Sequence, residues 1–165
     1  DQGSWFENPP FRGSKRVDTL CEGGARVPLI IHWPGVTKPG TVNDSVVQTT
    51  DLYPTFIEIA GGDADSNAEI DGVSLVPILK SGGRLERGEP VFGYRAYEDL
   101  YASVREGPWK LLAYRSGRTD LFNVVSDRYE QHNLKDTEPN VVRNLIGKLI
   151  DWAMEMGVAQ YSGVQ

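Results

Sequence analysis

The sequence predicts an α/β region followed by a small α+β domain. The continuous apolar and β-branched run of residues 27–33 ends at Pro34-Gly35, as expected for a strand buried on both faces of an α/β sheet. Four short strand-like segments separated by turn residues follow between residues 90 and 124. Apolar residues at helical spacing over 139–156 then predict a helix that covers this second sheet.

The first part of the chain begins with a long loop. Residues 1–24 are rich in Gly, Pro and charge and show no sustained period, and long ordered loops are usually functional. After the predicted strand, Asp51 can cap a helix whose first turn accepts Pro54 and which Gly61-Gly62 ends. Residues 73–80 predict a further short helical turn.

The second part begins after a shift in composition to Gly, Arg and Glu, where we place a domain boundary. The predicted domains are therefore 1–86 and 87–165. The strands expected in the second domain are 90–95, 100–105, 109–115 and 120–124, with turns at Glu106-Gly107 and Ser116-Gly117. An antiparallel meander of about four strands is the simplest arrangement. The covering face of the C-terminal helix would carry Val142, Leu145, Leu149, Trp152 and Met156.

The composition is that of a globular protein. Of the 165 residues, 39% are hydrophobic and 24% are charged. The net charge of −6 argues against nucleic acid or an anionic membrane as a general partner. No apolar run approaches the ~20 residues that span a bilayer. An anionic substrate would therefore need local cations.

Such cations surround the glycine turn of residues 12–28. Gly13, Gly23 and Gly24 allow positive φ or close approach of the backbone. Arg12 and Lys15 add cations beside N–H groups that an oxyanion could use. The pattern predicts an anion-binding loop.

This loop and the motifs after it resemble the formylglycine-dependent sulfatases. The likeness covers nearly the whole chain in the order of the family. Its motifs are Gly-Ser-Lys-Arg at 13–16, Gly-Gly-Ala-Arg-Val-Pro at 23–28, Trp-Pro-Gly at 33–35, Asp-Leu-Tyr-Pro-Thr at 51–55, Asp-Gly-Val-Ser-Leu at 71–75, Gly-Pro-Trp-Lys-Leu at 107–111, Leu-Phe-Asn at 121–123, Asp127, Glu130 and Asn-Leu at 133–134. The resemblance implies the end of a mixed-sheet catalytic α/β domain followed by the small α+β domain.

The resemblance also implies an activity. An intact enzyme of this kind hydrolyses sulfate monoesters of aryl or carbohydrate substrates, with calcium and a formylglycine nucleophile. The nucleophile motif Cys/Ser-x-Pro/Ala-x-Arg is absent from this sequence, because Cys21 is followed by Glu22-Gly23-Gly24. We therefore expect this carboxyl-terminal portion to be inactive by itself and Cys21 to be a packed side chain.

Three kinds of site residue are carried over from the resemblance. Lys15 matches the lysine that contacts the sulfate and assists the leaving oxygen, although a surface lysine is the plain alternative. Asp1 and Gln2 match an Asp-Asn/His pair that completes the calcium site with upstream carboxylates. The extra methylene of Gln2 departs from that pattern, and Asp1 could be an exposed acid. Tyr94 and Arg95 lie where the small domain reaches toward the substrate, or they form only an interfacial strand end.

Other charged residues have simpler interpretations. Arg12 is expected to form salt bridges within the loop, and Glu22 is expected to pair with Arg26 across the two glycines. His32 and His132 have no second histidine or carboxylate at ligand spacing, so both are expected to be structural.

Two other functions stay open at this point. The same superfamily includes phosphoester and phosphonate hydrolases, and the chain could instead be a non-catalytic glycan-binding or interaction module. The partners implied by the resemblance are a sulfated small molecule or carbohydrate and the N-terminal part of the same enzyme. It also implies a periplasmic, secreted or lysosomal location.

Overall fold

The computed structural model describes residues 6, 8–63 and 70–158, in two compact units. One unit comprises the described residues up to Pro28 together with those from Glu89 onward. The other is Leu29–Gly88. The loop before residue 28 thus packs with the C-terminal unit, and the domain limits 1–86 and 87–165 stay a prediction.

The C-terminal unit is built on a four-stranded antiparallel sheet in the order β1-β2-β3-β4. The strands are β1 (Val91–Tyr94), β2 (Leu100–Glu106), β3 (Trp109–Tyr114) and β4 (Thr119–Asn123). Gly107 and Gly117 take the positive φ values, 54° and 82°, that the tight connections require. The predicted meander is confirmed.

One face of this sheet is apolar and is covered by helix α4 (Pro139–Glu155). Leu145, Leu149 and Ala153 are buried against it, and Trp152 stacks on Phe92 with ring centroids 5.0 Å apart. The covering helix predicted from the sequence is therefore confirmed. Its predicted face is wrong at the last position, because Met156 lies beyond the helix and is 49% exposed.

The opposite face of the sheet is covered by the N-terminal loop. Side chains alternate along a strand, so Lys110, Leu112 and Tyr114 of β3 share this face. Leu20 and Cys21 of the loop pack with Leu112 and Tyr114 in a second buried cluster. The loop then forms the short helix α1 (Glu22–Ala25). This sheet face differs from the first because buried charges lie among its apolar side chains.

The unit of residues 29–88 contains a 3-10 turn (Thr49–Asp51) and the helices α2 (Leu52–Ile59) and α3 (Val76–Ser81). Both helices were expected, and Asp51 is the N-cap residue of α2, as predicted. Its side chain makes no cap bond to that helix but forms a capping box with Gln48 at the preceding 3-10 turn. Its buried carboxylate accepts hydrogen bonds from the backbone N–H groups of Gln48 (2.7 Å) and Val73 (2.9 Å) and pairs with Arg87. Asp51 therefore ties three segments together. None of the helices in the described part of the chain is long and apolar enough to cross a membrane.

The strand predicted at 27–33 does not form. These residues have no regular structure, and Ile30 is 91% exposed. A strand needs a neighbour for its backbone N–H and C=O groups, and no segment among the described residues pairs with this one. Its apolar sequence alone therefore does not produce a strand here.

Candidate active-site loop

The Gly-Ser-Lys-Arg motif forms a tight turn with Lys15 near its centre. The backbone N–H of Ser14 donates to Val17 O (2.8 Å), and the Ser14 hydroxyl oxygen lies 3.3 Å from the backbone N of Val17. Gly13 enters the turn with φ of 79°, and a Cβ at this position would lie 2.4 Å from Asp18 O. Only glycine fits there without moving the backbone. The structure thus fixes the backbone of Lys15 on a compact turn.

Arg12 anchors the start of this loop to the sheet. Its guanidinium pairs with Asp18 (3.2 Å) and, at longer range, with Asp120 of β4 (3.8 Å). It also donates to the Tyr114 hydroxyl at 2.9 Å. Burial raises the pKa of Tyr114 to about 12, although the nearby Arg12 charge acts in the opposite direction. The salt-bridge role predicted for Arg12 is confirmed, and its partners extend beyond the loop.

A buried ion cluster anchors the end of the loop. Lys110 Nζ lies 2.8 Å from the Glu22 carboxylate and 3.0 Å from that of Glu130. All three residues are at most 4% exposed. The Glu130 carboxylate also accepts the backbone N–H of Glu22 at 2.8 Å. Since a buried charge is costly without a partner, the cluster specifies how α1 sits on the sheet.

The cluster holds Lys110 and Glu22 in their charged forms. Burial opposes ionisation of Lys110, but the charges of Glu130 and Glu22 outweigh it and raise the pKa of the Lys110 ammonium. Burial alone would raise the pKa of Glu22, yet the Lys110 charge and hydrogen bond hold that pKa below its ordinary value. Lys110 and Glu22 are therefore an ion pair across the neutral range.

The predicted pair of Glu22 and Arg26 is confirmed at 3.7 Å, but it is the weaker of the contacts of Glu22. Sequence reasoning missed Lys110 and Glu130 as its partners. The strand period carried a usable signal for Lys110. It alternates onto the same face as Leu112 and Tyr114, so a charged side chain there needs a buried counter-charge.

The remaining sequence candidates fall in different places. Cys21 is a free, fully buried thiol, as predicted, and burial raises its pKa. His32 is exposed, and His132 is exposed beside Asp127 with a nitrogen 3.6 Å from its carboxylate.

Arg95 and Tyr94 lie at the end of β1. Arg95 pairs with Glu98 (3.1 Å), and its guanidinium lies 4.7 Å from the centre of the Tyr97 ring. The Tyr94 ring packs against Tyr101 and Trp152, on the α4 side of the sheet. The structure therefore places the two predicted substrate residues in different surroundings. Their substrate role stays a prediction.

The predicted metal ligands Asp1 and Gln2 lie outside the described residues. In the described part of the chain, no group of three or more His, Cys, Asp or Glu side chains could hold a metal ion. The calcium site thus stays a prediction.

Comparison with known proteins identifies the family. Residues 14–155 match the family model described as N-sulphoglucosamine sulphohydrolase, C-terminal. The chain belongs to the sulfatase family. It is 32% identical over 162 residues to a sulfatase from Formosa agariphila, covering 90% of this chain and 28% of that protein. Against choline-sulfatase from Rhizobium meliloti it is 34% identical over 140 residues, covering 82% of this chain and 24% of the relative.

Two solved structures share the fold of this chain. The fold matches the crystal structure of Ps i-CgsB with a TM-score of 0.80 and 28% identity, over 92% of this chain and 34% of that one. A protein solved with its substrate D-glucosamine-2-N,6-O-disulfate shares the fold with a TM-score of 0.68 and 20% identity, over 87% of this chain and 31% of that one. This sulfatase chain spans about a quarter to a third of the length of the relatives it matches.

Proposed function

We propose that this chain supplies the leaving-group side of a sulfatase active site, in an enzyme that hydrolyses sulfate monoesters of aryl or carbohydrate substrates. The main observation behind this proposal is the position of Lys15. It lies on a tight turn whose two flanks are tied to the sheet by Arg12 and by the Glu22 cluster. Lys15 lies within residues 14–155, the part of the chain that the family model matches.

The chemical role of Lys15 follows from where charge develops. When a sulfate ester breaks, negative charge grows on the bridging oxygen of the leaving group. A lysine ammonium fixed beside that oxygen stabilises the transition state more than the ground state, so it raises the rate rather than only the affinity. A rigid turn suits this role, because an already ordered cation needs no reorganisation during the reaction.

Calcium and formylglycine belong to the proposal through the family alone. When present, they supply sulfate binding and the nucleophile. Asp1 and Gln2 are the residues of this chain that we propose as calcium ligands, since a carboxylate and an amide oxygen suit a hard divalent cation. We propose that the remaining ligands and the nucleophile come from an N-terminal part of the same enzyme.

The proposed substrate class is a sulfated carbohydrate or a small sulfate ester. One structural neighbour was solved with D-glucosamine-2-N,6-O-disulfate, and another with a neocarrahexaose. We propose that Arg95, with Tyr94 nearby, contributes to binding such an anionic ring. A periplasmic, secreted or lysosomal location is part of the same proposal.

Hydrolysis of matched aryl esters tests this function. The full-length protein is assayed with 4-nitrophenyl sulfate and 4-nitrophenyl phosphate, as wild type and as Lys15→Ala. Lys38→Ala is the matched control, since Lys38 is an exposed lysine of the other unit. We expect a preference for the sulfate and a fall in kcat of about 100-fold in Lys15→Ala alone, the order of one lost oxyanion contact.

Two results would contradict the proposal. A preference for the phosphate would assign the protein to phosphoester hydrolysis. Binding of a sulfated glycan without turnover, unchanged by Lys15→Ala, would indicate a non-catalytic carbohydrate-binding module.

A further inference from the structure

The connection between β1 and β2 binds the loop that carries Lys15 through one carboxylate, that of Glu98. Glu98 accepts the Thr19 hydroxyl at 2.6 Å and the Thr19 backbone N–H at 3.2 Å, through its two different oxygens. Thr19 is only 1% exposed. A charged acceptor that takes two hydrogen bonds from one residue fixes both its position and its orientation.

Thr19 in turn lies against Lys15. Its hydroxyl oxygen is 3.4 Å from the carbonyl oxygen of Lys15. The single hydroxyl proton goes to the closer and charged acceptor, Glu98, so Lys15 is held through the backbone between the two residues. That segment is short and starts from the Ser14–Val17 turn. A displacement of Thr19 would therefore move the backbone that carries Lys15.

Glu98 is itself fixed by two arginines. Arg95 pairs with its carboxylate at 3.1 Å. Arg115 donates to the backbone carbonyls of Glu98 (3.0 Å) and Ala96 (2.6 Å), which locks the connection that carries the carboxylate. The Glu98 side chain is 15% exposed, so these contacts are only weakly screened by solvent.

We infer that Glu98 is a positioning residue for Lys15, and this inference rests on the proposed function of Lys15. The carboxylate acts through Thr19 rather than on the substrate. With glutamine at position 98, the negative charge is lost, and one amide oxygen replaces the two carboxylate oxygens that accept from Thr19 and pair with Arg95. The shape is retained, but the two bonds to Thr19 are no longer charge-assisted and the ion pair with Arg95 is lost, so Thr19 is held less firmly.

The dependence of rate on the leaving group distinguishes positioning from a general structural effect. We propose measuring kcat and KM of the full-length enzyme with a series of aryl sulfates, from nitrophenyl to unsubstituted phenyl sulfate. A cation at the bridging oxygen matters most for poor leaving groups. Loss of the Lys15 contact therefore steepens the plot of log kcat against leaving-group pKa, whereas partial misfolding lowers all points equally.

We expect Glu98→Gln to steepen this plot in the direction of Lys15→Ala. The kcat for phenyl sulfate should fall about 10- to 100-fold, the size of effect that a misplacement of about 1 Å produces. In the Lys15→Ala background, Glu98→Gln should have no further effect on the slope. Asp99→Asn is the matched control, because Asp99 is exposed in the same connection and bonds to Ser116, away from the loop.

Thr19→Val provides an independent variant should Glu98→Gln fold poorly. It removes the 2.6 Å bond and retains the backbone contact, so it should steepen the slope by a smaller amount. A parallel shift of all substrates in both variants, with a steeper slope in Lys15→Ala, would overturn the positioning role alone. An unchanged slope in Lys15→Ala would overturn the proposed function and this inference with it. A change confined to KM would indicate that the variant acts on substrate binding through Arg95, which also contradicts positioning.

Discussion

Replacing Lys110 by methionine should destabilise the protein by about 3–5 kcal/mol. Removing one partner of a buried ion pair costs this much because the remaining charge keeps its desolvation penalty without its compensation. Methionine preserves most of the volume of the lysine stem, so a cavity contributes little. The predicted loss is therefore electrostatic.

The structure sets the size of this effect. Two carboxylates, Glu22 and Glu130, lose their common cation, which lies 2.8 and 3.0 Å from them. Both keep a secondary contact. Glu130 still accepts the N–H of Glu22 at 2.8 Å, and Glu22 still lies 3.7 Å from Arg26. These contacts offset part of the loss, so we expect the range for one broken pair rather than twice that range.

The loss should depend on pH in a defined direction. Lys110 holds the pKa of Glu22 below its ordinary value of about 4.3. The wild type therefore has this stabilisation in full above that pH and loses it as the pH falls through the lower native pKa. In Lys110→Met, protonation of Glu22 removes a buried charge that has lost its cation. The difference between the two proteins should therefore be largest near neutral pH and shrink as the solution is acidified.

Urea unfolding, followed by tryptophan fluorescence and by circular dichroism, measures the difference. Lys148→Met is the matched control, because Lys148 on α4 pairs with Glu106 at a site where both side chains are more than a third exposed. Such a surface pair contributes about 0–1 kcal/mol. A loss below about 1 kcal/mol in Lys110→Met, or a loss that grows in acid, would refute the electrostatic account of the cluster.

Three further changes are expected to alter stability, each measurable as a shift of the urea midpoint. Tyr114→Phe removes the acceptor that Arg12 uses at 2.9 Å and should cost about 1.5–3 kcal/mol, the usual range for a bond to a charged group; no shift would show that solvent replaces it. Gly24→Ala would put a Cβ 2.3 Å from Thr19 O and should cost at least about 1–3 kcal/mol by overpacking, and a tolerated alanine would contradict the close approach. Gly147→Ala, in the middle of α4 with nothing within 4 Å of the new Cβ, should instead stabilise by about 0.5–1 kcal/mol, and a destabilisation would mean that an unseen neighbour limits the space.

The C-terminal sheet was predictable because its signals are local. Short runs of strand-favouring residues define each strand, and Gly107 and Gly117 mark turns that require positive φ. Each strand also finds its partner next to it in the sequence, so no distant segment had to be known. The same holds for α4, whose apolar spacing alone specifies the face that packs on the sheet.

The errors arise where partners are distant in sequence. The apolar run at 27–33 predicts a strand. A strand forms only beside another strand that pairs with its backbone, and none of the described residues supplies one for this segment. The sequence predicts Asp51 only as a helix cap, but its carboxylate also binds Val73 and Arg87, more than 20 residues away. Local patterns contain no information on such contacts.

The candidate site shows the same difference between residues with a local signal and residues whose partners are distant in sequence. Lys15 came from a motif of adjacent residues, whereas its supports came from three places in the chain. Glu98 and Glu130 gave no local signal, because each is an ordinary acid in a polar connection. Only Lys110 carried a local signal, because the alternation of side chains along β3 places it on the sheet face that the N-terminal loop covers.

The polarity of the loop-facing side of the sheet has a physical consequence for the position of Lys15. An apolar face would hold a loop by buried area, which is non-directional and tolerates sliding. Here Arg12, Thr19 and Glu22 are each held by a polar or charged group of the meander, and a shift of the loop would break such contacts in a buried setting. Each broken contact would leave a buried polar or charged group without its partner. These contacts therefore destabilise other positions of the loop on the sheet more than they stabilise the native position. We therefore expect an apolar replacement of the ion cluster to keep the fold while loosening the placement of Lys15.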